Sequence, residues 1–332
     1  MSHLRIRQAI AIVLALIVPF ALVAAGQQEA GAKSFRVGIS KLMPHPALDA
    51  VEQGVRDFLA TTDLEISYDL QNANGDIATA SSIAQKFKSD RADVVVGIAT
   101  PSAQALAQVF PERSGVPVVF SAVTDADEAG LVATNIAGVS DKNPVAAQIA
   151  LLAEVTGAKT IGNIYASGEA NGVILMQQAK AACEALGISF IASAVANTAE
   201  VKMAAQSIID RVDAIYVATD NTVCSAIVSI DDVTKRANKP YLTADPGGAK
   251  ELDFLIGWGF DYYVIGLETG RVIESVLRGS KAGEIGTVYI EDPKNFELWF
   301  NLDVAERLGY TIPQSLLQEA AHIVQGGTLI SK

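Results

Sequence analysis

From Phe35 onward, short apolar runs alternate with longer amphipathic stretches. Runs at 35–40, 64–70, 93–98, 117–121, 160–165, 188–194, 213–218 and 240–243 have the length and apolar content of buried strands. Between them apolar residues recur at helical spacing near 46–61, 77–89, 101–110, 143–156, 170–186, 200–210 and 221–237. A strand followed each time by a helix predicts mostly parallel sheets with helices on both faces. The alternation slackens over 122–144 and again over 244–250, then resumes with DFLIGWGF, a helix over 262–279 and GTVYI. These breaks predict an α/β chain of two doubly wound, Rossmann-like lobes, with more than one crossing between them. Lobe one is expected at 35–142 plus 246–290, and lobe two at 143–245 plus 291–332. Ligands of such sheets sit beyond the carboxyl ends of the strands, so two facing lobes enclose a cleft.

The N-terminus reads differently. Arg5 and Arg7 precede an apolar run, Ala9 to Val23, broken by Pro19 and closed by the small residues Ala24 and Ala25. This pattern predicts a secretory signal peptide over 1–25, cleaved after Ala25, and a polar tether over 26–34 (GQQEAGAKS). The run is short for a membrane span. No cysteine lies near the cleavage site, so lipid attachment there is excluded and the expected location is the periplasm.

Half of the 332 residues are hydrophobic and 19% are charged, enough for two sizeable cores. The formal net charge of −12 argues against a nucleic-acid partner. Cys183 and Cys224 both fall in expected helices of the same lobe. Export permits a disulfide, but thiols on neighbouring helices seldom meet its geometry, so two buried free thiols are expected. His3 lies in the signal segment, and His45 and His322 stand alone, which leaves no Cys/His metal site.

Candidate chemistry gathers at the strand ends. Thr100-Pro101-Ser102 follows the run DVVVGIA: Thr100 reads as an N-cap, Pro101 as the first helical residue, and the N–H groups of Ser102 and Ala103 as free donors for an anion. Ser121 and Thr124 follow the next strand. In the second lobe the ends carry Tyr165, then Asp220 and Asn221, then Asp245. Each taken singly reads as a helix cap or turn. Together, on cleft-facing ends, they have the look of a polar small-molecule site. A zwitterionic amino acid would suit it, with its carboxylate on lobe one and its ammonium on an aspartate. Of the aromatic residues Tyr165, Trp258, Phe260, Tyr262 and Tyr263, core packing is the better reading for most. Trp258, between Gly257 and Gly259, stands out as a candidate pocket wall.

Enzyme signatures are missing from the sequence. There is no G-x-G-x-x-G after the first strand (VGISKLM), no phosphate-binding G-x-x-x-x-G-K-[ST] and no G-x-S-x-G elbow. Ser102 has no evident histidine base. The chain is read as a binding protein without cofactor.

Eight stretches carry a family resemblance: HPALDAVEQGVRDFL (45–59), NANGDIATASSIAQKF (72–87), IATPSAQALA (98–107), FSAVTD (120–125), YASGEAN (165–171), VDAIYVATDNTV (212–223), GFDYYVIG (259–266) and NLDVAERLGYTIP (301–313). They run in order through nearly the whole chain after residue 34. The chain resembles the extracytoplasmic solute-binding proteins of ABC importers, of the type I periplasmic-binding fold and the tryptophan/tyrosine-type family. The resemblance implies a hinge of three crossovers, a monomer that closes on one ligand, delivery to an ABC permease at the membrane, and aromatic or other apolar amino acids as cargo. It assigns the ligand carboxylate to Ser102 and the N–H of Ala103, polar contacts to Ser121 and Thr124, and the ammonium to Asp245. A nucleoside is the alternative cargo for the same fold. The chain departs from the family in two places. It has Asp245 where Glu is frequent nearby, and YASGEAN where YNPGEAN is frequent.

Overall fold

The computed structural model describes residues 34–332 except 291. The expected signal peptide, and all of the tether but Ser34, lie outside the described residues. Residues 35–332 form one compact unit holding two sheets.

The first sheet contains β1 (Phe35–Lys41), β2 (Ile66–Asn72), β3 (Val94–Ile98), β4 (Val118–Val123), β5 (Ile136–Ser140) and β11 (Thr287–Tyr289). Its order is β11-β5-β4-β3-β1-β2 and every pair is parallel. All five residues of β3 are buried, as an apolar run covered on both faces requires. Helices α1 (Pro46–Ala60), α2 (Ile77–Ser89) and α3 (Thr100–Val109) return the chain between strands. α2 shows how the sequence sets its bounds. The Asp76 side chain accepts from the Thr79 N–H at 2.5 Å at the start, and Lys86 and Lys88 face the negative helix end at the finish.

The second sheet contains β6 (Thr160–Ala166), β7 (Ser189–Val195), β8 (Ala214–Val217), β9 (Tyr241–Thr243), β10 (Ile256–Phe260), β12 (Phe296–Asn301), β13 (His322–Gln325) and β14 (Thr328–Ser331), in the order β14-β13-β12-β10-β9-β8-β6-β7. Its helices include α4 (Val145–Thr156), α5 (Ala170–Ala185), α6 (Val201–Ile208), α7 (Asn221–Ser225) and α8 (Ile227–Ala237). Two apolar clusters belong to each sheet, one per face, which is the doubly wound arrangement. The β10–β12 and β13–β14 pairs are antiparallel and depart from the parallel pattern.

The chain crosses between the sheets through 141–144 after β5 and Asp261 after β10, and returns to the second sheet between β11 and β12. The expected return to lobe one at residue 246 does not occur. Ile256 and Gly257 pair with Leu242 and Thr243 of β9, so residues 246–260 stay with the second sheet. The turn chemistry of ADPGGAK closes a local loop instead, with Ala249 N–H on Pro246 O and Leu252 N–H on Ala249 O. Past Asp261, α9 (Tyr262–Leu277) packs on α1 in the first lobe. There the backbones nearly touch: a Cβ on Gly54 would lie 2.3 Å from Tyr263 O, and one on Gly266 would lie 2.3 Å from Val51 O.

Candidate functional site

The carboxyl ends of the two sheets face each other across a small cavity. The first lobe supplies His45 and Leu48 from the start of α1, Ala122 and Thr124 from the end of β4, Asp141 from the first crossover, and Tyr262 from the start of α9. The second lobe supplies Asn171 at the start of α5, Thr219 to Asn221 and Cys224 around the start of α7, and Asp245 after β9. The cavity volume is ≈ 10 Å³, about the room one water needs. The two lobes are therefore closed on each other.

Two of the acids are spent on the frame. Asp220 Oδ2 accepts from Ala166 N–H at 2.6 Å and its Oδ1 from Val223 N–H at 3.0 Å. Glu169 answers from the opposite loop: Oε1 takes the Thr222 N–H at 2.9 Å and its hydroxyl at 2.6 Å, and Oε2 takes the Asn221 amide at 2.6 Å. The β6–α5 and β8–α7 loops are thus held to each other from both sides. Burial, and then the neighbouring Glu169 charge, push the Asp220 carboxyl up to about 7.

Asp141 and Asp245 are the acids with capacity left. Asp141 Oδ2 accepts the Tyr262 hydroxyl at 2.8 Å, while its Oδ1 is buried without a partner. Burial pushes this carboxyl up to about 6 against the pull of the Tyr262 and Thr124 hydroxyls. Asp245 Oδ1 accepts the Gly248 N–H at 3.0 Å. Burial raises the Asp245 pKa, and His45 opposes the shift. Both ring nitrogens of His45 and the amide oxygen of Asn171 are also buried without partners. Such groups in a cavity wall are costly unless a bound molecule satisfies them. Neither lysine nor arginine lines the cavity. Among the described residues no group of His, Cys, Asp and Glu could hold a metal ion.

Of the residues expected from sequence, the structure brings Thr124, Asp220, Asn221 and Asp245 to the cavity. The others lie elsewhere. Ala99, with φ 77°, takes the N-cap position, Thr100 is already helical, and the Ala103 N–H donates to Ala99 O at 3.1 Å. Thr100, Ser102 and Ala103 are buried away from the cavity because α3 is pressed onto β3. A Cβ on Gly97 would lie 2.5 Å from the Ala103 backbone. The Ser121 hydroxyl is paired with that of Thr269 at 2.6 Å. Tyr165 is half-buried on β6. The Trp258 ring packs on Phe296, with centroids 5.5 Å apart, and its carbonyl accepts from Gln148. Sequence reasoning did not place His45, Asp141, Asn171 or Tyr262 in the site. The His-Pro pair opening α1 was the available signal for the first of these. Cys183 and Cys224 are both free and buried.

Residues 36–324 match the family described as ABC transporter substrate binding protein. The chain belongs to that family. Within it, a tyrosine-binding protein of Clostridioides difficile is 30% identical over 287 residues, which cover 83% of this chain and 81% of the relative. A solved ABC domain in complex with L-Trp from Streptococcus pneumoniae is 30% identical, covers 88% of this chain and 100% of its own, and superposes with a TM-score of 0.82. A ligand-free, open substrate-binding protein with adhesive properties from Clostridium difficile is 29% identical, with 88% and 99% covered, yet its TM-score is 0.63. At nearly equal identity, this substrate-binding protein thus lies nearer in shape to the complex than to the open form. Its fold is that of the type I periplasmic binding proteins, two lobes on a hinge, as the sequence resemblance implied.

Proposed function

We propose that this substrate-binding protein captures one amino acid, aromatic or branched-chain, between its lobes and hands it to an ABC permease, working as a periplasmic monomer that converts nothing. The observation that carries the reading is the charge of the cavity wall. Asp141 and Asp245 face a small cavity whose lining holds no lysine or arginine, a wall suited to an ammonium group. Leu48, Ala122 and the Tyr262 ring supply the apolar wall. The L-Trp and tyrosine named for the relatives fit this reading. A purine nucleoside carries no ammonium and would leave the carboxylates unpaired.

Calorimetric titration of the chain from residue 26 onward against the twenty L-amino acids tests the proposal. Binding of one molecule per chain is expected for one or more aromatic or branched-chain members. No heat with any of them overturns it.

A further inference from the structure

We infer that the carboxylate of the bound amino acid is held by His45 and the first turn of α1, not by the start of α3. The inference rests on the amino-acid reading above. An amino acid brings a negative group into a cavity whose acids already serve its ammonium, so the opposite end needs a donor site.

Among the residues lining the cavity, His45 is the only one able to carry a positive charge. It is 8% exposed, and neither ring nitrogen has a partner. It is also the N-cap of α1, a helix of 15 residues, and its side chain makes no capping bond. Pro46 has no N–H to offer, and the N–H groups of Ala47 and Leu48 have no intrahelical carbonyl. Leu48 itself lines the cavity. Two donors and the positive end of a long helix therefore lie at the same helix start as the imidazole. The acid in the first turn, Asp49, is turned away to Lys41 at 2.5 Å, and Glu52 joins the same lysine at 2.8 Å. Asp49 from its own helix and Asp245 and Glu169 from the second lobe act on His45 through their charge, and the Asn221 amide lies near the ring but is bonded to Glu169 and does not reach hydrogen-bond geometry with either nitrogen. Burial holds the ring below its ordinary pKa, and an arriving carboxylate would raise it. A ligand clamped at His45 on lobe one and at Asp245 on lobe two would tie the lobes together through its own two charges.

The test compares L-tryptophan, L-tyrosine and L-leucine with their carboxamides, which keep the ammonium and lose the negative charge. The wild-type chain is expected to prefer acid over amide by roughly tenfold or more, and His45→Gln to abolish that preference. In parallel, ring-nitrogen NMR of the wild-type chain from residue 26 onward follows His45, which is readily assigned because His322 is the one other histidine there. Its pKa is expected to rise with the acid and not with the amide. If His45→Gln does not fold, the NMR measurement decides alone. Acids that bind while the preference and the His45 signal stay unchanged overturn this inference and spare the function. If no amino acid binds, the proposed function falls, and this inference with it.

Discussion

The hydroxyl of Tyr262 donates to Oδ2 of Asp141 at 2.8 Å across 121 residues of sequence. Asp141 opens the first crossover and Tyr262 follows the second, so this bond ties two hinge strands at the rim of the cavity. Tyr262→Phe leaves a second buried carboxylate oxygen without its donor. The variant is expected to lose about 1–3 kcal/mol in urea unfolding. An unchanged unfolding midpoint would show that the bond carries no weight in the hinge.

Two buried carboxyls should favour the folded chain at mildly acidic pH. Asp141 and Asp220 are held at about 6 and about 7, against an ordinary carboxyl value of 3.8. The folded chain keeps protons that the unfolded chain releases. This contribution is full below about pH 4 and is lost as pH rises through about 6 and 7. Asp141→Asn is expected to flatten the lower part of that fall, by up to about 3 kcal/mol. Urea midpoints between pH 4.5 and 8 provide the check; a variant profile parallel to the wild type would sink the assignment.

Asp245 and Asp220 should separate by phenotype. Asp245→Asn is expected to weaken amino-acid binding roughly ten- to a hundredfold at little cost in stability, since burial already opposes its charge. Asp220→Ala strands the N–H groups of Ala166 and Val223 and is expected to cost about 1–3 kcal/mol of stability. Titration and thermal melts of both variants measure the contrast. Equal affinity losses without a stability difference would count against the division of roles.

Ser102→Ala is expected to leave affinity within about twofold, because its hydroxyl is buried outside the cavity. A large loss of affinity on titration would return the carboxylate site to the start of α3.

Cys224 lines the cavity while Cys183 lies in the core of the second lobe, where burial pushes its thiol up to about 11. A thiol reagent should reach Cys224 only when the lobes part, so bound ligand should slow its labelling severalfold and leave Cys183 unaffected. Mass spectrometry of labelled peptides distinguishes the two sites, and ligand-independent labelling of Cys224 would contradict the placement.

Much of the fold is legible in the sequence because strands buried on both faces announce themselves as apolar runs. The helix expected at 77–89 is found at those residues. β5 escaped notice: its five residues, IAGVS, are a short run with only two large apolar side chains, follow a loop, and lead into a crossover rather than directly into a helix. β10 was placed in the wrong lobe because a glycine-rich turn looks the same whether the chain crosses or doubles back. At the site, Asp220, Asn221 and Asp245 stand out as polar residues at strand ends. His45 and Asp141 do not, since the residues that surround them come from distant parts of the sequence. Thr100 and Ser102 have every local mark of an anion site. What keeps them off the cavity wall is the close approach of α3 to Gly97, a tertiary fact without a local signature.

Gly54 and Gly266 bring the backbones of α1 and α9 within one atom's width of each other. His45 stands at the head of the first helix and Tyr262 at the head of the second. With the shafts fused, the two heads cannot shift independently. The first lobe is thus a jaw with its teeth set in one piece of bone, and all the adjustment to cargo falls to the hinge and to the loops across from it.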